Sequence, residues 1–389
     1  MKILLFGGSG IISSEICRLA IERKCDVTIF NRGRRKEEMH SEALLIVGDL
    51  LKESVEQIRG KIAPYYDVVI DFIGRNPSQL EKTLAICKDR CEQFIFISSA
   101  TVYNASNEKK KYKEVDPFGE SGWNYARLKA ECEKYLAEQQ LPCKYTIIRP
   151  YITYGHTRMP LQITPLEYYT IINRIRNHKP IAICGKTTQC TLTNSADFAI
   201  AACGLFLNPK AYGETFHLTG DYVTTWGHVI ERIASALDES VTIIDISREF
   251  LRKHRNDYGI DVDEVLYDKG RDMVFDNSKI KVAVPEFKEF RSLEQSMGDI
   301  LAYFDDPKHQ MVNYFWDAGC DRMLEAYSRE SHTTIDRIDV DSYGGMLTKE
   351  QKKAYMANRT RSRLLIYKLN RKIKAVINRG QNSKCWREY

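Results

Sequence analysis

The first 150 residues alternate short apolar runs with segments of helical periodicity. The apolar runs have the length of β-strands and lie at Ile3–Phe6, Val27–Phe30, Ala43–Val47, Val68–Ile73, Phe94–Ile97 and Tyr145–Ile148. Segments with helical spacing lie between several of them, most clearly at Ile11–Lys24, Gln79–Lys88 and Asn124–Gln139. Unbroken apolar strands that alternate with helices are typical of a parallel sheet covered on both faces. The pattern therefore predicts an α/β fold with a Rossmann-type, doubly wound parallel sheet.

The pattern is less regular after Arg149. It predicts helices near Pro165–Asn177, Ala196–Leu207, Thr225–Leu237 and Ser292–Phe304, and strand-like pieces at Ile181–Cys184, Thr215–Leu218 and Val241–Ile244. We therefore predict a Rossmann domain over residues 1–155, a smaller interleaved α/β region over residues 156–305, and a helical extension over residues 306–389. Some later segments are expected to return to the first domain.

A glycine-rich turn, Gly7-Gly8-Ser9-Gly10-Ile11-Ile12-Ser13, follows the first predicted strand directly. Glycine at position 7 permits a tight turn, and glycine at position 10 lets the backbone approach a pyrophosphate that the next helix binds with its amides. Serine at position 13 replaces a third glycine and is small enough for close packing of helix on strand. Because the turn lies between a strand and a helix, it predicts a dinucleotide site that uses Gly7, Gly10, Ile11, Ile12 and Ser13.

The end of the second predicted strand bears on the choice of dinucleotide. An NAD site usually has Asp or Glu there to bind the ribose 2′-hydroxyl, whereas an NADP site binds a phosphate with arginine. The sequence Phe30-Asn31-Arg32-Gly33-Arg34-Arg35 has no acid. We therefore favour NADP over NAD, with contacts from Asn31, Arg32 and Arg34. After the third strand, Asp49 and Leu50 are placed to meet the adenine, and capping of the next helix by Asp49 is the alternative.

Two segments carry candidate catalytic groups. Ser99 follows the apolar run Phe94–Ile97, at the point where a predicted central strand ends and the sequence becomes polar. Tyr125 and Lys129 are four residues apart on a predicted helix, so they share one face about one turn apart. An ammonium near a phenol lowers the pKa of the phenol, which predicts that Tyr125 exchanges a proton near neutral pH. We expect Ser99 to hydrogen-bond the same substrate oxygen.

Together these motifs resemble those of the extended short-chain dehydrogenase/reductases, in the NAD-dependent epimerase/dehydratase family that includes UDP-galactose 4-epimerase-type enzymes. The resemblance covers roughly residues 1–300 and is carried by Gly7-x-x-Gly10-x-x-Ser13, Ser98–Tyr103, Tyr125-x-x-x-Lys129, Arg149–Gly155, Ala196–Ala199 and Asp276–Lys279. It implies a catalytic triad of Ser99, Tyr125 and Lys129, with Lys129 also binding the nicotinamide ribose. It further implies that Pro150 and Tyr151 lie against the nicotinamide, and that residues 156–305 bind the substrate.

Two departures from the family pattern bear on the reaction. In the sugar-nucleotide dehydratases of this family, acidic residues directly follow the catalytic Ser or Thr, whereas Ser99 is followed by Ala100 and Thr101. Dehydration is therefore disfavoured. Many sugar-nucleotide enzymes also have an arginine where Thr191 stands, contacting the substrate diphosphate. A nucleotide-linked substrate is thus an expectation of the family that this sequence weakens.

Three functions stay open at this point. The leading hypothesis is an NAD(P)-dependent epimerase that acts on a sugar or nucleotide-sugar hydroxyl by transient hydride transfer, with Tyr125 as the acid and base. The second is an NADPH-dependent reductase of a keto-sugar or small carbonyl compound. The third is RNA binding, as in some members of the superfamily. It is the least favoured, because the set Ser99, Tyr125 and Lys129 has no role in binding RNA.

The charge of the chain is concentrated at its C-terminus. The formal net charge is +6, yet from Lys349 onward thirteen Lys and Arg face only two Glu, which leaves the remainder mildly acidic. Within this tail, one helical face holds Ile366, Leu369, Ile373, Val376 and Ile377. A basic amphipathic helix of this kind is compatible with docking on the protein itself or on a second subunit, with peripheral contact to an anionic membrane, or with nucleic acid. We favour docking over the other two.

The eleven cysteines have no paired spacing, and we predict neither disulfides nor a metal site. Free thiols in that number are typical of a reducing compartment, so we expect a cytoplasmic protein, peripheral to the inner face of the membrane if the tail binds lipid. The family resemblance implies a homodimer formed by the Tyr125 helix and the helix at Gln79–Lys88.

Overall fold

The structure is a computed structural model that describes residues 1–35, 39–103, 111–119, 122–255, 257–340 and 342–357. Within these ranges the strands are β1 (Lys2–Phe6), β2 (Asp26–Asn31), β3 (Leu44–Val47), β4 (Tyr66–Asp71), β5 (Cys91–Ile97), β6 (Lys144–Pro150), β7 (Thr153–Tyr154), β8 (Ile181–Ile183), β9 (Gln189–Thr191), β10 (Thr193–Asn194), β11 (Glu214–Leu218), β12 (Val223–Thr225) and β13 (Ile243–Asp245).

The α-helices in the same ranges are α1 (Ile11–Glu22), α2 (Val55–Arg59), α3 (Pro77–Cys87), α4 (Asn124–Glu138), α5 (Tyr169–Arg176), α6 (Ser195–Cys203), α7 (Trp226–Ala236), α8 (Arg248–Lys253), α9 (Ser278–Ala283), α10 (Leu293–Asp305), α11 (Tyr314–Ser331) and α12 (Lys349–Ala357). Single 3-10 turns lie at Ala100–Tyr103, Pro209–Ala211, Pro307–His309 and Ser342–Gly345, and a π-helical turn lies at Val265–Lys269. The amphipathic segment predicted around Ile366–Ile377 lies outside the described residues.

Seven strands form one parallel sheet in the order β11-β6-β5-β4-β1-β2-β3. The chain leaves β1 in one direction as far as β3 and then crosses over to β4 and continues the other way. In sheets of this type a crevice opens at the carboxyl ends of the strands where the order reverses, and ligands bind there. The doubly wound fold predicted from the sequence is confirmed. Residues 214–218 supply an edge strand of the same sheet.

The unbroken apolar runs are explained by burial on both faces of the sheet. In β1, Ile3 and Leu5 join the core under α1 and α6, whereas Leu4 and Phe6 join the opposite core under α3 and α4. Side chains of a strand alternate between the two faces of the sheet. A strand that is covered on both faces therefore has apolar residues at successive positions. The two cores fix the carboxyl edge of the sheet as a rigid platform.

Several predicted boundaries differ from those of the structure. The helix predicted from Pro165 begins at Tyr169, because residues 166–168 form a turn in which Tyr168 N–H donates to the Leu166 carbonyl at 3.1 Å. The strand predicted at Val241–Ile244 lies at Ile243–Asp245. Strands β7, β9, β10 and β12 have two or three residues each, too few to show a periodicity in the sequence.

The segments after β6 build a third core and hold the helical extension. Helix α11 is tied to α5 by the buried Arg174, whose guanidinium bonds to Asp317 and lies 2.9 Å from Asp321. Lys179 reaches the same Asp321 at 2.8 Å. The described part of the extension is therefore packed on the body by buried ion pairs. In the described ranges, no helix has both the length and the apolar character needed to cross a membrane.

Candidate active site

The glycine turn between β1 and α1 has the shape that a dinucleotide requires. Gly7 and Gly8 have φ values of 121° and 100°, which side-chain-bearing residues rarely adopt. A Cβ at Gly8 would lie 2.6 Å from Ile29 Cγ2, so the turn is also closed to larger residues. Ser13 closes the first turn of α1, because its hydroxyl accepts from Gly10 N–H at 2.9 Å. These residues fit a pyrophosphate at the amino end of α1, where helix amides lack intrahelical acceptors.

The ends of β2 and β3 form the adjoining part of this site. Asn31 is used internally: its amide donates to the Gly7 carbonyl at 2.9 Å and accepts from Gly33 N–H at 2.7 Å. Arg32 and Arg34 are exposed at the same edge. Among the described residues 31–35 at the end of β2 there is no carboxylate.

Asp49 and Leu50 follow β3, and the structure gives each a local role. Asp49 Oδ1 accepts from Leu51 N–H at 2.9 Å, so its carboxylate caps the turn that follows the strand. The alternative considered for Asp49, capping of the next helix, is not what the structure shows, because Ser54 caps α2. Leu50 is buried beside Phe30 in the core under α3 and α4.

Ser99 and Tyr125 meet at the carboxyl edge of β5, although they come from different elements. Ser99 follows β5, and its hydroxyl accepts from Thr101 Oγ1 at 3.0 Å. Tyr125 is in the first turn of α4, and the nearby Ser99 hydroxyl acts to lower the pKa of the Tyr125 phenol. The structure therefore brings together two of the three predicted catalytic residues through their reactive oxygens.

Lys129 lies one turn further along α4 and is buried under the loop that follows β4. Its ammonium donates to the carbonyl oxygens of Gly74 at 2.7 Å and Ile97 at 2.8 Å, and lies 4.7 Å from the centroid of the Phe96 ring. Burial lowers the pKa of Lys129 to about 8, against the attraction of the buried Asp71 carboxylate. Lys129 thus joins the ends of β4 and β5 to the helix that carries Tyr125.

The expectation that Lys129 lowers the pKa of Tyr125 is wrong for this structure. Burial raises the pKa of Tyr125, and the groups that oppose this rise are the Ser99 hydroxyl and the Arg75 guanidinium. The physical reason is that burial of the phenol outweighs the groups that favour the phenolate. Tyr125 therefore keeps its proton at neutral pH.

Pro150 is the last residue of β6, and Tyr151 follows it directly. Tyr151 is buried, with its ring centroid 4.9 Å from that of Phe275. The next residue, Ile152, has φ 35°, a left-handed conformation that is strained for a β-branched side chain. Strain of this kind costs about 1–3 kcal/mol and is concentrated at functional sites.

A buried polar network lies behind the Ser99 and Tyr125 pair. Glu133, one turn after Lys129 on α4, accepts from Arg149 of β6 and from the Ser98 hydroxyl. Arg149 also bonds to the Tyr103 hydroxyl, which lies 2.8 Å from His217 Nε2 on β11. The network fixes α4 on the carboxyl half of the sheet.

The sequence reasoning missed this network and two further groups of the site. Asp71 ends β4 and accepts from the amides of Ile73 and Gly74, both at 2.8 Å. A polar residue that ends a buried apolar run was the available signal for Asp71. Asp268, on the π-helical turn, faces Tyr151 and Tyr125, and no motif in the sequence marks it.

Comparison with known protein families gives one family for this arrangement. The model of the NAD dependent epimerase/dehydratase family matches residues 3–210. Among curated proteins, the chain is 27% identical over 252 residues to the chloroplast stem-loop binding protein of 41 kDa b from Arabidopsis thaliana. That match covers 60% of this chain and 63% of the relative, so the chain spans less than two thirds of that protein's length.

Solved structures of sugar-nucleotide epimerases have the same fold. UDP-glucuronic acid 4-epimerase from Bacillus cereus, solved with UDP-glucuronic acid and NAD, matches with a TM-score of 0.62 at 17% identity over 79% of this chain and 100% of its own. UDP-glucose 4-epimerase from Thermus thermophilus, solved with NAD, matches with a TM-score of 0.63 at 15% identity over 79% and 99%. At these identities the likeness shows the fold.

Proposed function

We propose that this chain, which belongs to the NAD dependent epimerase/dehydratase family, is a nicotinamide-dependent enzyme of the extended short-chain dehydrogenase/reductase type. Within that type, the proposal is an epimerase-type oxidoreductase that acts on a hydroxyl of a sugar or nucleotide sugar. The observation that carries this proposal is that Ser99, after β5, and Tyr125, in the first turn of α4, lie close together at the carboxyl edge of the sheet. Both residues stand beside the crevice of a doubly wound sheet, where such sheets bind their ligands.

Tyr125 and Ser99 act on the same substrate oxygen in different ways. A nicotinamide dinucleotide held by Gly7, Gly10 and Ser13 would supply the hydride acceptor and donor for the carbinol carbon. Tyr125 takes the hydroxyl proton in the first half and gives it back in the second, while Ser99 hydrogen-bonds the same oxygen. Because burial favours protonated Tyr125, its resting state is the proton donor, and the Ser99 hydroxyl stabilises the phenolate needed for oxidation.

The segment after Ser99 supports epimerisation over dehydration. Ala100 and Thr101 form a buried 3-10 turn in which Thr101 bonds back to Ser99. Elimination of water needs a second acid and base next to the reacting carbon, and this turn supplies no carboxylate. The reaction proposed for the site is therefore hydride transfer with proton transfer.

For the cofactor, the proposal is NADP, with NAD as the alternative. The exposed Arg32 and Arg34 at the end of β2 support a 2′-phosphate, since guanidinium groups bind phosphate with charge-assisted hydrogen bonds. The epimerase structures named above contain NAD, which supports a nicotinamide dinucleotide without separating the two.

Spectroscopy of the purified protein tests the proposed reaction against its alternative, an NADPH-dependent reductase of a keto-sugar or small carbonyl compound. An epimerase holds its oxidised cofactor tightly and shows no net turnover of it when sugar is added. Steady consumption of NADPH with a carbonyl substrate would contradict the epimerase and favour the reductase.

Binding of nucleic acid is a second candidate, supported by the name of the Arabidopsis relative and by the basic residues from Lys349 onward. It predicts that removal of residues 358–389 lowers affinity for a stem-loop RNA, with a steep dependence on salt. If the truncated protein binds the stem-loop RNA as tightly as the full chain does, and Tyr125→Phe loses cellular function, nucleic-acid binding is contradicted and the enzymatic function is supported.

The remaining assignments concern partners and location. We infer a homodimer through α3 and α4, which pack side by side at one face of the sheet. Peripheral membrane contact by the basic tail is tested by flotation with anionic liposomes, with and without residues 349–389. Equal behaviour of the two chains would remove the membrane interpretation. The ten cysteines among the described residues are free, in keeping with a reducing cytoplasm.

A further inference from the structure

An apolar groove lies where α5, α7 and α10 come together, and it encloses a cavity of about 270 Å³. Its apolar lining is formed by Tyr169, Ile172, Ala236, Leu237, Leu301 and Phe304. Sites for small molecules usually have about 300–1,000 Å³ and a few convergent polar groups, whereas the charged groups of this groove, Arg176 and Asp305, are at its exposed rim. The groove is therefore suited to a few apolar side chains of a polypeptide.

Exposed apolar side chains continue the groove past the start of α5. Asn313 holds this part together, since its N–H donates to the Thr170 hydroxyl and its side-chain amide to the Glu167 carboxylate, both at 2.9 Å. Beside these contacts, Met311 and Leu166 are 63% and 80% exposed. Single exposed apolar residues are common, but residues that continue an apolar groove mark an interaction site. Together with these two side chains the groove forms one apolar surface, the α5 groove.

The rim of the α5 groove is acidic. Asp305 is the last residue of α10, and Asp238 directly follows Leu237 at the end of α7. Both are exposed, and neither forms an ion pair with another residue of the described ranges. The cation of the lining, Arg176, donates to the Tyr169 hydroxyl at 3.1 Å. The rim therefore offers two carboxylates to a cationic partner, and complementary charge of this kind selects the partner of an apolar surface.

The C-terminal sequence has the complementary pattern. Its apolar positions lie on one face of a helix and cover about 16 Å along the helix axis, and they are Ile366, Leu369, Ile373, Val376 and Ile377. At about 100° per residue, Lys372 and Lys374 flank that face on opposite sides. Amphipathic helices bind in apolar grooves through anchors spaced in this way. The segment thus has apolar anchors for the groove and cations for its rim.

The chain can reach the groove from α12. This helix ends at Ala357 and packs on α11, which packs on α5. Packed helices have axes about 8–10 Å apart, so about 20 Å separate α12 from α5. Residues 358–365 connect α12 to Ile366 in the sequence, and a chain of that length spans up to about 30 Å when extended. Docking on the same molecule is therefore within the reach of the chain.

We propose that residues 366–377 form a helix whose apolar face occupies the α5 groove of the same chain, with Lys372 and Lys374 placed at the carboxylates of Asp305 and Asp238. This interaction goes beyond the proposed function and does not depend on it. Because a short connection joins the two partners, the effective concentration of the segment at the groove is on the order of millimolar, and a weak contact suffices to keep it bound. The basic tail is then an internal clamp and not a binding module for RNA or lipid.

Hydrogen exchange of the full chain, followed by mass spectrometry, tests the docking from the side of the tail. Amides of residues 366–377 should exchange at least about tenfold more slowly than those of an unstructured peptide, and Ile373→Asp should remove this protection, because loss of one buried Ile side chain changes the equilibrium by about tenfold or more. Leu364→Asp is the matched control, since it adds the same charge on the opposite side of the helix and should leave exchange slow. Oxidation of Met311 by hydroxyl radicals should also be faster in Ile373→Asp than in this control, because the released segment uncovers the thioether.

A second variant tests the docking from the side of the groove. Met311→Asp changes an exposed side chain and therefore leaves the core intact, and it should release residues 366–377 to fast exchange. Val282→Asp, at an exposed residue of α9, is the matched control and should keep the segment protected. The melting temperatures of both variants should stay close to that of the wild type, so that loss of protection in Met311→Asp alone reports a local effect.

Cross-linking of the full chain identifies the partner of the segment. A carbodiimide joins a lysine amine to a neighbouring carboxylate as an amide, with loss of one water that the reagent takes up. It should couple Lys372 or Lys374 to Asp305 or Asp238, and Asp305→Asn should remove the links to that position. In an equal mixture of chains with natural and heavy nitrogen, each linked pair of peptides should come from one isotope, which shows contact within one molecule.

Four results would overturn the inference. Fast exchange of residues 366–377 in the wild type, or equal protection in Ile373→Asp and Leu364→Asp, would remove the helix from the groove. Links between light and heavy chains would assign the groove to a second copy of the chain. Protection that appears only with an added stem-loop RNA or with anionic vesicles would assign the tail to those partners.

Discussion

Glu133 and Arg149 form a buried, two-pronged ion pair that joins the helix of Tyr125 to the strand of Tyr151. Arg149 Nε lies 3.0 Å from Glu133 Oε1, and Nη2 lies 2.5 Å from Oε2. The side chains are 4% and 2% exposed, so neither charge has water as an alternative partner. Since Glu133 is one turn after Lys129, this pair sets the position of the catalytic face of α4.

Removal of one partner of this pair should be costly. Glu133→Ala leaves the Arg149 guanidinium buried without a counter-charge, which typically costs about 3–5 kcal/mol in the free energy of unfolding. Glu131→Ala is the control, because Glu131 pairs with Arg127 on the exposed side of the same helix and should cost no more than about 0.5 kcal/mol. Urea denaturation measures both, and equal losses would show that the buried pair does not anchor α4.

Tyr125→Phe should separate chemistry from folding. The variant removes only the hydroxyl that transfers the proton, so turnover should fall by about 100-fold to 10,000-fold. The melting temperature and cofactor affinity should stay as in the wild type. Tyr135→Phe, three turns along the same helix and away from Ser99, is the matched control. If Tyr125→Phe retains turnover comparable to that control, proton transfer by Tyr125 is disproved.

His217 should make the protein less stable in mild acid. Burial lowers the pKa of His217 to about 4, with Arg149 adding to the effect and Asp276, whose carbonyl accepts from the ring, opposing it. Between about pH 6.5 and pH 4, the unfolded chain therefore binds a proton at His217 that the folded chain does not bind. As a result, the free energy of unfolding falls as the pH falls through this range. The loss from this group is about 3 kcal/mol.

The measurement is the free energy of unfolding across that pH range for the wild type and His217→Gln. The variant should start less stable and show a shallower decline. His228→Gln, at an exposed histidine beside Glu294, should decline as the wild type does. Parallel curves for all three proteins would assign the acid sensitivity to other groups.

The sequence predicts the parts of this site that depend on short-range patterns. Buried strands of the parallel sheet show as unbroken apolar runs, and the glycine turn and the Tyr125 to Lys129 spacing each lie within a few residues. The pairing of Asp268 with Tyr151 depends instead on how the irregular half of the chain folds over β6, which no local periodicity encodes. The pKa of Tyr125 depends likewise on burial of its phenol by segments that are distant in the sequence.

The arginines after β2 give the last prediction, which concerns the cofactor. A guanidinium that binds the 2′-phosphate is worth about 1.5–3 kcal/mol, so the double variant Arg32→Ala, Arg34→Ala should weaken NADPH by about tenfold or more and leave NADH nearly unchanged. Arg23→Ala, an exposed arginine after α1, controls for the loss of surface charge. Fluorescence titration with both dinucleotides gives the affinities. Equal weakening of NADPH and NADH would contradict a dedicated phosphate contact, and tighter binding of NADH by the wild type would reverse the assignment to NAD.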